Sequence, residues 1–321
     1  MLVRFRILTA CAIAGVALQA QAQSMKWPER PVRVIVPFPA GGTSDVVARL
    51  FTPRLSEEYG QSFVVDNRPG AGGTIGAEIA ARAAPDGYTV AMVPSSYAAA
   101  AALYKLPYDP VKGIAPISMI QIVPFILVVQ PSVKAGHLKE LIELARAQPS
   151  TLNFSSPGTG STPHLAAEFF QQLTHSKFTH VPYKGDGQAL ADLLGGQIHI
   201  NIATAVLLGQ HIKSGRVRAL GVTSTRRSRS LPDLPAIGEI LPGFAADGWS
   251  GIWAPAGTPK EIVSRLNQSI GRILKVPEVQ ERLRSIDAEP TPSSPEEFVR
   301  FIAAEVAKWQ KVVVTANIKL N

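Results

Sequence analysis

The chain has 321 residues, 32 Lys and Arg against 24 Asp and Glu for a formal charge of +8, and a single cysteine. With that cysteine at position 11, disulfides and cysteine-ligated metal sites are excluded, and thiol chemistry goes with them once an export leader is removed. The basic excess is not a nucleic-acid patch: its densest piece, Arg226-Arg227-Ser228-Arg229, lies in a Ser/Pro-rich connection without interleaved aromatics.

Residues 1–22 read as an export leader. Arg4 and Arg6 supply the positive start, residues 7–18 form an apolar run too short for a membrane span, and Ala20-Gln21-Ala22 is an A-x-A site with cleavage expected after Ala22. Leu8-Thr9-Ala10-Cys11 has the residue types of a lipoprotein box, but Cys11 is followed by further apolar sequence where a polar tether belongs. The periplasm is the expected destination. Without the leader, 30 basic and 24 acidic residues leave a net +6, a mild balance that helps to draw in anions. About 300 mature residues exceed what one core covers, so two domains are expected.

Val32-Arg33-Val34-Ile35-Val36 is a β-branched run suited to a covered sheet, stopped by Pro37 and Pro39, which cannot donate to a ladder. Gly41-Gly42 turns the backbone, and Thr43, Ser44 and Asp45 are cap residues ahead of the helical run 46–51. Free amides at a helix start make a natural anion seat. A second strand, 63–66, leads into the glycine loop 67–76. That loop fails the dinucleotide pattern because Ile75 stands where Gly or Ala is needed, and it lacks the Lys-Ser/Thr of a P-loop. A third strand, 88–93, ends in Pro94-Ser95-Ser96 before another helix. Three β-turn-α units in a row predict a parallel sheet covered by helices, with ligands outside the carboxyl ends of the strands.

Residues 114–129 are β-rich and broken at Pro124, and the strand 125–129 is expected to leave the first domain. Beyond it the same logic repeats. Strand 152–155 leads into the hydroxyl-rich loop 156–164, strand 178–181 into 182–187, and strand 198–202 into Thr204, each followed by a helix. Strand 217–222 and a Pro-rich connection at 231–243 follow, then a strand at 249–255 that returns to the first domain, and helices at 260–274, 279–286 and 295–314. The expected plan is a discontinuous domain 1 (23–125 and 249–321) around domain 2 (126–248), a hinged clamshell.

Six stretches, in this order and spacing, resemble one family: Val36-Pro37-Phe38-Pro39-Ala40-Gly41-Gly42-x-x-Asp45, Asn67-Arg68-Pro69-Gly70-Ala71-Gly72-Gly73, Ala84-Pro85-Asp86-Gly87-Tyr88-Thr89, Gly158-Thr159-Gly160-Ser161-x-x-His164, Val181-Pro182-Tyr183-Lys184-Gly185 and Leu193-Leu194-Gly195-Gly196-Gln197-Ile198. They are similar to the Bug family, the TctC-like substrate-binding proteins of tripartite tricarboxylate transporters. The resemblance implies an α/β periplasmic-binding-protein (Venus flytrap) fold, each domain a mainly parallel sheet flanked by helices. It implies capture of a small carboxylate in the interdomain cleft, no catalysis and no cofactor. Opposed loops would hold the carboxylate through amides, hydroxyls and water: Phe38, Ala40, Gly41 and Gly42 in domain 1, and Gly160, Ser161, Thr162 and His164 in domain 2. Ser95 and Thr204, which end strands at the same edge, complete the candidate ligand-binding set. The implied partners are the ligand and the membrane subunits of such a transporter; one chain suffices to form the site, so a monomer is expected.

Two other readings compete. A serine hydrolase would use Ser161 with His164 or His180, but Pro163 occupies the glycine position of a G-x-S-x-G elbow. A solute sensor that acts on a membrane signalling partner is compatible with the binding reading. Six scattered histidines without H-E-x-x-H argue against a metal site.

Overall fold

The computed structural model describes residues 26–229 and 231–319; the leader and its cleavage site lie outside them. Two mixed sheets organise the chain. The first contains β1 (Val32–Val36), β2 (Phe63–Asn67), β3 (Thr89–Pro94), β4 (Ile114–Val123), β10 (Gly248–Pro255) and β11 (Glu289–Pro290), in the order β11-β4-β10-β3-β1-β2. The second contains β5 (Phe125–Val129), β6 (Asn153–Ser156), β7 (Thr179–Pro182), β8 (Ile200–Thr204) and β9 (Arg218–Val222), in the order β7-β6-β8-β5-β9. Helices α1 (Thr43–Tyr59), α2 (Thr74–Ala81) and α3 (Ser96–Leu103) follow the first three strands. Helices α4 (Leu138–Ala147), α5 (Thr162–Thr174), α6 (Asp186–Leu194) and α7 (Ala205–Lys213) belong with the second sheet, and a short α8 (Ile237–Ile240) interrupts the Pro-rich connection. Helices α9 (Lys260–Ile273), α10 (Pro277–Arg284) and α11 (Pro295–Thr315) end the chain.

The α/β class and the two-sheet plan are as expected, but the sheets are less parallel than the repeated units suggested. β1 pairs parallel with β2 and β3, and β6 with β7 and β8, whereas β10 runs antiparallel to β3 and β4, and β5 antiparallel to β8 and β9. The reason is topological. The chain crosses between sheets at Pro124 and again before Gly248, in both cases from the carboxyl edge of one sheet. A strand entering a sheet at that edge must run against its parallel neighbours. The two crossings therefore bring the carboxyl edges of the two sheets face to face, with their helix N-termini.

At the crossing, Thr223 joins both passing strands. Its Oγ1 accepts from the Phe125 amide (2.9 Å) and donates to Asp247 Oδ1 (3.1 Å). Gly248 is required there, because a Cβ would meet the Phe125 ring at 3.1 Å and the Val123 carbonyl at 3.2 Å. The lobes also share apolar packing. One buried cluster runs from Phe154 and Phe170 of the second to Trp253, Phe298 and Trp309 of the first. α11 ties across: Phe169 meets Trp309 edge-on with centroids 6.4 Å apart, and Gln172 Nε2 donates to the Val312 carbonyl at 2.9 Å.

Candidate functional site

The first loop, residues 37–42, leaves β1 and enters α1. Gly41 adopts φ +83°, and the Gly42 amide reaches back to the Pro39 carbonyl at 3.4 Å. Asp45, in the first turn of α1, fastens the loop. Its Oδ2 accepts from the Gly41 amide and from Arg49 Nε, both at 2.9 Å, and its Oδ1 accepts from Asn67 Nδ2 at 3.0 Å. The same Asn67 amide donates to the Phe38 carbonyl at 3.0 Å. The Arg49 guanidinium, with the Gly41 amide and Asn67, holds the Asp45 carboxyl down to about 2 against its partial burial. The expectation that the Gly41 amide faces a ligand is thus corrected: a carboxylate of the chain already occupies it. Ala40 and Thr43 are exposed, and no protein acceptor meets their amides among the described residues.

The second loop, residues 157–161, leaves β6 and enters α5. Ser161 caps α5 by accepting from the His164 amide (3.3 Å) and donates its own hydroxyl to the Gly158 carbonyl (2.7 Å). Gly160, at φ +82°, donates its amide to His164 Nδ1 at 3.0 Å. The neutral His164 ring therefore carries its proton on Nε2, which faces Glu168 Oε1 at 3.8 Å. The ring is buried and stacks on His180 (centroids 4.0 Å, 11° between planes), and His180 stacks in turn on Phe154 at 4.6 Å. His180 Nε2 meets Ser156 Oγ at 2.8 Å, and that hydroxyl holds the Gly158 carbonyl at 3.1 Å. Burial pushes His164 down to about 3, with His180 contributing, and pushes His180 down to about 4. The Gly160 amide and the His164 Nδ1 are thus engaged with each other inside the protein, and His164 braces the loop.

The two loops belong to facing edges, and one hydrogen bond joins those edges. Ser95, at the start of α3, and Thr162, at the start of α5, place Oγ and Oγ1 3.0 Å apart, and both side chains are buried. Thr204 stands at the same edge, half-buried at the start of α7, with no hydrogen bond to either loop. Phe38 is half-buried beside Gly73. The loops carry no basic side chain, and Arg49 of α1 is held by Asp45. Asp186 opens α6 at this edge, and desolvation raises its carboxyl. A wider depression lined by Trp27, Glu261 and Arg265 lies at the opposite, N-terminal edge of the first sheet.

Asn67, Ser156 and His180 were not among the ligand-site residues expected from the sequence, where His180 entered only as a possible base for Ser161. Asn67 had a signal, the Asn-Arg-Pro ending of a strand, and its pairing with Asp45 across 22 positions is tertiary. Ser156 and His180 had none, since β6 and β7 must pair before they meet. Ser161 and His164 do not form a nucleophile–base pair: the hydroxyl points to a backbone carbonyl, and the imidazole acceptor is taken by an amide. Among the described residues no cluster of three or more His, Cys, Asp or Glu is placed to hold a metal, and no helix is long and apolar enough to cross a membrane.

Two α/β lobes hinged at paired crossings, with helix N-termini facing one another, define a two-lobed solute-binding protein. Residues 47–318 match the family described as tripartite tricarboxylate transporter family receptor (TctC), and the chain belongs to that family. It is 38% identical to protein BugT of Bordetella pertussis over 97% of this chain and 96% of that one. Among solved structures it is similar to Rpa4515 of R. palustris with adipate, at 40% identity and TM-score 0.78 over 91% of this chain and 99% of that one. It is also similar to MatC of Rhodopseudomonas palustris with bound malate, at 33% identity and TM-score 0.75 over 89% and 100%. The role that the family description gives is that of a receptor.

Proposed function

We propose that this chain is a periplasmic receptor that captures a small carboxylate between its lobes, one lobe formed by residues 23–125 and 249–321 and the other by 126–248. It would then deliver the solute to the membrane subunits of a tripartite uptake system. The observation that carries this reading is the opposed pair of strand–loop–helix edges joined by Ser95 and Thr162. Each edge presents helix N-termini, whose amides and dipoles favour an anion without a basic side chain. Ala40 and Gly42 with Thr43 on one side, and Ser161, Thr162 and Thr204 on the other, are the contacts proposed. The adipate and malate held by the relatives support a carboxylate as the solute.

The test is a panel of small carboxylates scored by melting temperature and calorimetry on ligand-stripped protein, after native mass spectrometry of the protein as purified. At least one acid at a hundred times its Kd should stabilise the fold by about 2.7 kcal/mol through linkage. No shift with mono-, di-, tri- or aromatic carboxylates would overturn the reading.

A further inference from the structure

The densest basic run of the chain, Arg226-Arg227-Ser228-Arg229, has no place in the solute site, yet it is more than a solvated loop. It follows β9 of the second sheet, and Arg227 ties it to its own lobe. The guanidinium forks onto Glu239 of α8, Nε to Oε1 at 3.0 Å and Nη2 to Oε2 at 2.9 Å. The next two residues reach the first lobe. Ser228 turns inward, 7% exposed, and its hydroxyl donates between the two carboxylate oxygens of Asp287, at 3.1 and 3.2 Å. Arg229 Nη2 lies 3.2 Å from Glu289 Oε1 in an exposed pair, which counts for little in water.

Both ends of this contact lie beside the crossings. Asp287 stands between α10 and β11 in a left-handed backbone, φ +57°, with its amide on the Arg284 carbonyl at 2.9 Å. Glu289 pairs with Ile122 near the end of β4, just before the chain crosses at Pro124. On the other side the strap starts from Thr223, the residue that joins both passing strands. The strand orders fix where the contact falls. In the first sheet β11 and β3 lie on opposite sides of β4 and β10, and in the second β9 and β6 lie on opposite sides of β5. The Ser228–Asp287 and Ser95–Thr162 contacts therefore flank the crossings, one on each side.

A pair of adjacent crossings is close to a point, about which two lobes can twist as well as swing. A second attachment beyond that point defines a line. The largely apolar packing of α11 between the lobes has no preferred direction and tolerates sliding, whereas a hydrogen bond to a carboxylate is directional. We propose that the strap 226–229 is a hinge brace. Ser228 and Asp287 stay joined as the lobes part, set the line about which they swing, and keep the two facing loops in register. The brace goes beyond the carboxylate reading and holds for whatever solute the cleft admits.

Pulsed electron–electron resonance on the solute-stripped protein tests it. Cys11 falls in the expected leader, so spin labels at Glu57→Cys on α1 and Lys139→Cys on α4, both exposed positions, report the distance between the lobes. Ser228→Ala should widen the distance distribution roughly 1.5-fold without unfolding the protein. Asp287→Gly, which suits the left-handed backbone but removes the acceptor, should widen it as much. Asp287→Asn keeps an acceptor and should leave the width near that of the parent. Because both residues act through one contact, Ser228→Ala combined with Asp287→Gly should do no more than either alone. Unchanged widths in both single variants, or widening that adds in the double variant, overturns the brace.

Discussion

The first loop is fastened from the surface by charge, through Asp45, Arg49 and Asn67, while the second is fastened from below by uncharged rings, His164 on His180 on Phe154. Both devices leave a helix N-terminus open to the facing lobe, and both take one loop amide out of use, Gly41 in the first and Gly160 in the second. The difference lies in what acid does to each. Native Asp45 stays ionised until the pH nears 2, so the contribution of its network is complete above the unfolded value near 3.8 and is lost only between there and about 2. The histidines, at about 3 and 4, are native in the neutral form. Their contribution is complete above the unfolded value near 6.5 and is lost as pH falls from there through about 4. The second loop is thus expected to weaken in mild acid and the first is not.

The largest effect expected is from Gly41→Asp. Asp tolerates the left-handed backbone better than most residues, and a Cβ at Gly41 meets nothing within 4 Å, so the fold should survive. A second carboxylate beside the anion seat, at an effective dielectric near 20, opposes a bound carboxylate by about 3–4 kcal/mol, or roughly a hundredfold or more in Kd. Unchanged affinity in calorimetry would remove the first loop from the site. Next is mild acidification. Between pH 7.5 and 5, amide exchange protection should fall at Gly160 and His164 and hold at Gly41; equal changes in the two loops would dissolve the contrast. His180→Phe sharpens it further. Phe preserves the stack but drops the Ser156 hydrogen bond, at a cost of about 1 kcal/mol at pH 7.5, and the loss of melting temperature towards pH 5 should shrink.

Asn67→Ala removes the shared donor to Asp45 and Phe38 and should cost about 1–2 kcal/mol, with weaker binding at every pH. The smallest effect concerns the crossing. Burial pushes the Asp247 carboxyl up to about 7 against the Thr223 hydrogen bond and Lys308. A raised acid contributes stability that is complete below its unfolded value and lost as pH climbs through about 7. Asp247→Asn, which keeps an acceptor for Thr223, should therefore raise the melting temperature at pH 8 more than at pH 5.5. Equal shifts at both values would show that the native carboxyl does not titrate between them.

Much of this was written locally. The β-branched runs at 32–36 and 125–129, the breaks at Pro37 and Pro124, the turn glycines and the Ser161 cap are set by neighbours along the chain, so strands, loops, helices and crossings could be placed from sequence alone. The repeat of strand, hydroxyl-rich loop and helix in both halves pointed to two facing edges for the same reason. Tertiary structure alone decided the rest. The antiparallel entry of β5 and β10 follows from where the crossings lie, and the two-residue β11 exists only because β4 offers it an edge. Short-range pattern cannot say which amides remain free: Gly41 and Gly160 looked open until Asp45 and His164, each four residues on, folded back with the support of Asn67 and His180 from other strands. A hydrogen-bonding group declares its type in the sequence, but its partner is chosen only when distant strands pair, and that choice determines which groups remain for a ligand.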